Sequence, residues 1–255
     1  MVRMMLMAAS VAILGAALAV LPSPAADPPK PAAPLSEDKI KEQETQAADV
    51  ETYMTALKLA ETGHEEKWPE TLVTAGALLL KLDHQTKGAF GELKDKPSVL
   101  GEDGKPIPDA EVKSIEPESV KSLADAYFDE ATALAKDQKI LKEITALIKT
   151  VKARKYTETR GAIGGPKWFV RPLGPKQTHV YNINFDTFSI ASVGFSASAP
   201  TRCTMQTGTY VHFNQVVRTG QYTWKPSGNL GPVKTFTITV RNPQNVGVTY
   251  KLVTN

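Results

Sequence analysis

The sequence predicts an α+β protein of two domains, an N-terminal three-helix bundle followed by an antiparallel β-sandwich. Three observations carry this. Between Ser36 and Lys155 apolar residues recur at spacings of three, four and seven, the period of a helix that buries one face. Beyond Gly165 they fall into short runs with inward and outward alternation, the period of a strand. The sign of the charge reverses between the two stretches. The expected organisation is a signal peptide over residues 1–25, a proline-rich linker over 26–35, a helical bundle domain over 36–155, a glycine-rich hinge over 156–166 and a β-sandwich domain over 167–255.

Met1 to Arg3 give a short positive start, Met4 to Leu21 run without a charge, and Ser23-Pro24-Ala25 places small residues where a signal peptidase reads them. The mature protein is therefore expected outside the cytoplasm, in the periplasm or secreted. The alternative is an uncleaved anchor, because an apolar segment of this length reaches the lower limit for spanning a bilayer. Pro28, Pro29, Pro31 and Pro34 then make a stiff tether. Cys203 is the only cysteine, so no internal disulfide is available and stability must come from packing around what reads as a buried, inert thiol.

In the first helix Ile40, Ala47, Val50, Met54, Leu57 and Ala60 share a stripe, Ser36 caps the start and Gly63 is expected to end it. A second helix starts at Pro69, carries Leu72, Val73, Leu79, Leu80 and Leu82, and dissolves at Gly88 and Gly91. Lys94 to Glu116 read as a long loop with a hairpin turn at Asp103-Gly104. Pro117 opens a third helix running to about Lys155.

Seven strands are expected, at Trp168–Arg171, His179–Phe185, Ser189–Ser196, Thr209–Val217, Gln221–Trp224, Thr235–Arg241 and Val248–Val253. Phe236, Ile238 and Val240 share one face of the sixth. The stretch from Gly220 to Pro226 (GQYTWKP), the strand Lys234 to Asn242 (KTFTITVRN) and the final Val248 to Asn255 (VTYKLVTN) resemble the end of a bacterial pre-peptidase C-terminal (PPC-like) domain. That resemblance covers roughly residues 165–255. It implies a small β-sandwich with an accessory or binding role. Some such domains bind calcium, which needs a cage of oxygen ligands. Asp186 is the one acid here, so a calcium site is not expected, and Asp186 reads as a turn residue.

Of the 27 acids only Asp186 lies after Glu158, against ten Lys and Arg. Such an imbalance points to a polyanion, such as an acidic polysaccharide, or to a protein partner, with Arg202, Arg218, Lys225, Lys234 and Arg241 as the candidate contacts. The competing reading is that these bases solubilise the sheet or face the acidic helices. His64, His84, His179 and His212 lack the spacing of a metal site. Gly194-Phe195-Ser196-Ala197-Ser198 falls one residue short of a nucleophile elbow, and Arg160 to Gly165 lack the spacing of a nucleotide loop. No catalytic, cofactor or metal residue is assigned. The expected function is that of an exported bacterial, non-catalytic binding or scaffolding protein of the cell envelope, the alternative being a secreted hydrolase whose site forms only in three dimensions.

Overall fold

The computed structural model describes residues 36–88, 90–108, 112–156, 166–186, 190–224 and 233–255. The expected signal peptide and linker, and most of the expected hinge, lie outside the described residues. Ser36 accepts the Lys39 N–H at 3.5 Å and starts helix α1 (Glu37–Glu66), with Glu37 and Asp38 at the positive end of its dipole. The helix does not end at Gly63. It runs on to Glu66 and stops at Lys67, which takes the left-handed conformation (φ 57°). Gly63 serves packing instead, since a side chain there would meet Leu72 Cγ at 3.0 Å. Leu72 belongs to α2 (Pro69–Thr86), which begins at Pro69 as the sequence predicts.

In place of one long third helix there are two, α3 (Val120–Leu134) and α4 (Gln138–Ala153). Asp137 divides them. Its carboxylate accepts the N–H groups of Lys139 (2.7 Å) and Ile140 (3.2 Å), an N-cap set inside an apolar stripe that periodicity alone runs straight through. Ser119, not Pro117, caps α3. The expected three-helix bundle is thus a four-helix layer, with α2 lying between α1 and α3 and α1 seated on the sheet.

Eight strands form one curled sheet, β1 (Gly91–Glu92), β2 (Ser98–Leu100), β3 (Lys167–Leu173), β4 (Thr178–Asp186), β5 (Ala191–Thr207), β6 (Tyr210–Trp224), β7 (Val233–Arg241) and β8 (Val248–Thr254). The expected runs at Thr209–Val217 and Gln221–Trp224 are the single strand β6. Every pairing is antiparallel except β1 with β3. One edge of β5 pairs with β6, while along the other edge Val193–Ala197 pair with β8 and Arg202–Gln206 pair with β7. A bulge between Ser196 and Thr201 separates the two registers. The sheet therefore parts into two halves that face each other across a core of Phe169, Phe195, Tyr250 and Leu252 from one half and Tyr181, Cys203, Phe236 and Ile238 from the other. Burial pushes the Cys203 thiol far above its ordinary value, in keeping with an inert side chain.

The long loop turns out to be structural. β1 lies on the free edge of β3 and β2 on the free edge of β4, so residues 91–100 tie the two halves together opposite β5. The turn predicted at Asp103-Gly104 closes between Gly101 and Lys105, with Gly104 at φ 74°. Inside the curl, Arg171 donates to the Asp95 carbonyl (2.8 Å) and to the Tyr181 hydroxyl (3.1 Å) and lies 4.1 Å from the Phe169 ring centroid. Tyr181 bonds Tyr250, whose hydroxyl bonds His179 Nδ1 at 2.8 Å. Tyrosine rings and hydroxyls rather than a carboxylate surround this buried guanidinium among the described residues, an arrangement that keeps its donors satisfied.

Helices and sheet are layers of one compact unit spanning Ala32–Asn255, and the two-domain layout is not seen. Trp168 and Val253, on the outer face of the sheet, are buried with residues of α1, α2 and α3. Gly194 lets α1 approach, since a side chain there would meet Met54 at 2.5 Å. The near-elbow sequence around Ser196 is explained by this contact. Lys251, on the same outer face, donates to the Tyr53 hydroxyl at 2.6 Å and sits 4.8 Å from the Trp168 ring centroid.

Gly194→Val is expected to cost about 1–3 kcal/mol through overpacking against Met54. Adding Met54→Ala should recover part of that loss, whereas two independent sites would simply add, as chemical denaturation will show. A second expectation concerns pH. Burial, then the Arg171 charge, holds His179 down at about 4 from its ordinary 6.5. The unfolded chain therefore takes up the proton first. Stability is full above the ordinary histidine value and falls as pH drops from there through about 4, by at most roughly 3 kcal/mol. His179→Gln should flatten that limb of the melting-temperature profile, and an unchanged limb would assign it to other groups.

Candidate functional site

Among the described residues, the outer face of β4, β7 and β5 carries no apolar stripe, and on β6 it exposes Val211 and Val216. Alternation turns Phe236, Ile238 and Val240 inward, and so turns Thr235, Thr237, Thr239 and Arg241 outward. The same parity places Asn182 and Asn184 of β4 and Arg202 of β5 outward and exposed, with Thr204 and Gln206 of β5 half-buried beside them. Register brings them into transverse rows. Asn182 lies opposite Thr237, which lies opposite Gln206. One row along, Thr239 and Thr204 are opposed, with Asn214 beyond. In the last row Arg241 stands directly opposite Arg202.

Short hydrogen bonds fix many of these groups in the plane of the sheet. Thr235 Oγ1 donates to Asn184 Oδ1 (2.6 Å) and Thr237 Oγ1 to Asn182 Oδ1 (3.0 Å). Asn214 Oδ1 accepts from Arg202 Nη1 (2.9 Å) and from Thr204 Oγ1 (3.3 Å). The result is a field of amides and hydroxyls with two exposed arginines at opposed register positions at one end, Arg202 reaching toward Asn214 of β6. Like charges set opposite each other on neighbouring strands repel. Nothing in the packing requires that pair.

The five candidate contacts do not converge. Arg202 and Arg241 come together. Lys234 is on the opposite face, 5.4 Å from the Trp224 ring centroid. Arg218 lines a cleft of about 450 Å³ beside Glu61 and Glu65 of α1, so the acidic helix meets it. Lys225 lies outside the described residues.

Two further groupings invite a chemical reading. A second cavity of about 230 Å³ beside Arg218 takes in His64, which pairs with Glu130, and Tyr127, which burial and then Glu130 raise to about 12, away from proton transfer near neutrality. At the other end of the curl, His212 accepts or donates on both ring nitrogens, Nε2 to Thr207 Oγ1 (2.7 Å) and Nδ1 to the Tyr222 hydroxyl (3.0 Å). Ten residues of straight strand would separate His212 and Tyr222 by roughly 33 Å. Their contact measures how sharply β6 curls. Gly220 permits the bend, since a side chain there would meet Phe213 at 2.8 Å. Among the described residues no three His, Cys, Asp or Glu side chains gather to hold a metal ion, and no helix is long and apolar enough to cross a membrane.

Sequence reasoning found Arg202 and Arg241 but not their pairing, because pairing depends on the register set by the β5 bulge. It missed the Arg171–Tyr181–Tyr250–His179 network and the half-buried Lys251. The signal was there in part, as Arg171 and Lys251 interrupt strands that otherwise read apolar.

No protein-family profile matches the chain, and no curated protein matches it. Among solved structures, a designed double-stranded β-helix is similar over 35% of this chain and 99% of its own, at 12% identity and a TM-score of 0.23. A structure described as "CBM4 structure and function" is similar over 34% of this chain and 78% of its own, at 12% identity and a TM-score of 0.19. CapF of Staphylococcus aureus, a capsular polysaccharide assembling protein, is similar over 54% of this chain and 44% of its own, at 10% identity and a TM-score of 0.15. At these scores the likenesses carry no argument.

If Arg241 stands opposite Arg202 for a ligand rather than for the fold, Arg241→Gln should leave stability unchanged or raise it by up to about 0.5 kcal/mol, by relieving repulsion. Thermal melting checks this. A loss beyond about 1 kcal/mol would give Arg241 a structural duty.

Proposed function

We propose that this is an exported bacterial protein serving as a non-catalytic binding or scaffolding component of the cell envelope, and that it takes an acidic polysaccharide on the face of β4, β7, β5 and β6. The opposed Arg202 and Arg241 carry this reading, because an anionic ligand turns their repulsion into a shared attraction. A carboxylate or sulfate group can accept from both guanidinium groups. The rows of Asn, Thr and Gln beside them suit hydroxyl-rich sugar units, which offer both donors and acceptors. A nucleic acid is the poorer fit. Proteins that hold one by its backbone neutralise on the order of six to ten phosphates, and among its described residues this face offers two arginines and no aromatic platform for bases. The curl of two half-sheets about one core is read here as the sandwich of a PPC-like accessory domain, in line with the binding role that resemblance implies.

A second reading, a secreted hydrolase, draws on the Thr207–His212–Tyr222 chain, whose order resembles nucleophile, base and orienting group. Under it, the polymer would be shortened on incubation, and His212→Gln would abolish the loss.

Affinity electrophoresis in gels containing polygalacturonate tests the main proposal. The chain should be retarded, Arg202→Gln with Arg241→Gln should release it, and retention should fall with salt along a shallow log–log slope of about −2, as expected for two contacts. Equal retardation of the double variant, or a preference for single-stranded DNA over the uronate polymer, would overturn the assignment.

A further inference from the structure

The edge of β3 is covered by two separate segments. Leu93, just beyond β1, donates its N–H to the Trp168 carbonyl at 2.9 Å. The chain then crosses to β4 and returns at Ile115, whose N–H bonds the Val170 carbonyl at 2.8 Å. Between these contacts opens a cavity of about 370 Å³ whose lining includes Phe90, Trp168, Ile115 and Pro117 together with Glu92 and Glu116. This volume lies within the ordinary range for small-molecule sites.

The floor is aromatic and rigid. Phe90 and Trp168 meet edge to face with centroids 4.7 Å apart, and Tyr53 backs both rings from α1. The mouth is acidic. Glu92 and Glu116 are exposed, come from different segments, and line the opening with no Lys or Arg among the described lining residues, although Arg171 behind it donates to the lining Ser114 at 3.4 Å. The dipole of α3 does not account for Glu116, because Ser119 caps that helix three residues later.

We propose that this cavity binds a small organic cation, a quaternary ammonium or alkylamine on a compact apolar body. The apolar body would displace water from Phe90, Ile115 and Pro117. The charge would sit between the two carboxylates and against the Phe90 ring. The protein's own cations already occupy the neighbouring rings, Lys251 at 4.8 Å from the centroid of Trp168 and Arg171 at 4.1 Å from that of Phe169. Selectivity for positive charge therefore rests on Glu92 and Glu116 rather than on a closed aromatic cage, and the same carboxylates repel anions. None of these residues belongs to the Arg202 and Arg241 face, so this site stands or falls apart from the polysaccharide reading.

The test uses the full chain labelled with nitrogen-15, following the tryptophan indole N–H signals while choline or its uncharged isostere dimethylbutanol is added. Trp168, assigned with Trp168→Phe, should shift with choline while Trp224 stays in place, and choline should bind at least about tenfold more tightly than the isostere, a difference of 1.4 kcal/mol. Glu92→Gln with Glu116→Gln should bring choline down to the level of the isostere without lowering the melting temperature. Equal binding of the two compounds, charge selectivity surviving in the double variant, or no Trp168 shift at about 10 mM, where binding would be negligible by any useful standard, would each overturn the proposal.

Discussion

The rest of the structure depends on one strand. β5 pairs with β6 along one edge and divides its other edge between β8 and β7, with the irregular stretch between Ser196 and Thr201 as the changeover. Pro200 can occupy that stretch because a bulge does not ask for its N–H. Without the bulge the registers of β7 and β8 would collide, the sheet would stay open and its core face would be wet. With it, the two halves turn toward each other and Phe195 and Cys203 point into the same interior. The register that brings Arg202 opposite Arg241 is a consequence of the same shift. So is the helix contact, since Gly194 lies on the outer face just before the changeover.

The contact between acidic helices and a basic sheet is not made as the charge split suggests. Its centre is aromatic. Tyr53, Phe90 and Trp168 meet edge to face, and the half-buried cation among them, Lys251, is held by a hydroxyl and two ring faces. Burial lowers Lys251 to about 8, with Glu118 opposing the shift. Below that value the fold carries a partly desolvated ammonium. The cost of such a group is met by specific geometry, which favours one seating of α1 over a sliding apolar contact. Among the described residues, the margins of that contact are polar, with Thr223 donating to Glu51 and Arg218 facing Glu61 and Glu65.

Local rules made much of this legible in the sequence. Ser36 and Pro69 mark helix starts because capping and proline geometry act within one turn, and β7 is plain because its alternation is unbroken. What escaped is what depends on distant partners. Asp137 caps a helix in the middle of an apolar stripe, and a stripe does not reveal where its backbone is interrupted. Gly63, Gly194 and Gly220 read as breakers or motif fragments, yet each admits a neighbouring side chain from another turn, layer or strand segment. The loop after α2 reads as punctuation because strands as short as β1 and β2 have no periodicity; their identity lies in the edges of β3 and β4 that they cover. Of the candidate site, composition identified arginines, while only register could say which two meet.

The same distinction governs how the positive charge of the β half should be understood. Ten bases against one acid suggest a diffuse basic surface, but a base counts toward a surface only if its charge is exposed and shares a face with others. Arg171 is turned inward and Lys251 toward α1, each onto aromatic rings, Lys234 lies against Trp224, Lys176 is tied to the Pro243 carbonyl and Arg218 stands beside acids of α1. Among the described residues, what remains on the field of amides is a pair. A pair of guanidinium groups gives little long-range steering at physiological salt, where screening sets in within about 8 Å, and it discriminates by spacing instead. It favours a polymer whose charges come singly and whose intervening units can use the hydrogen-bonding rows, over one whose backbone is charged at every step.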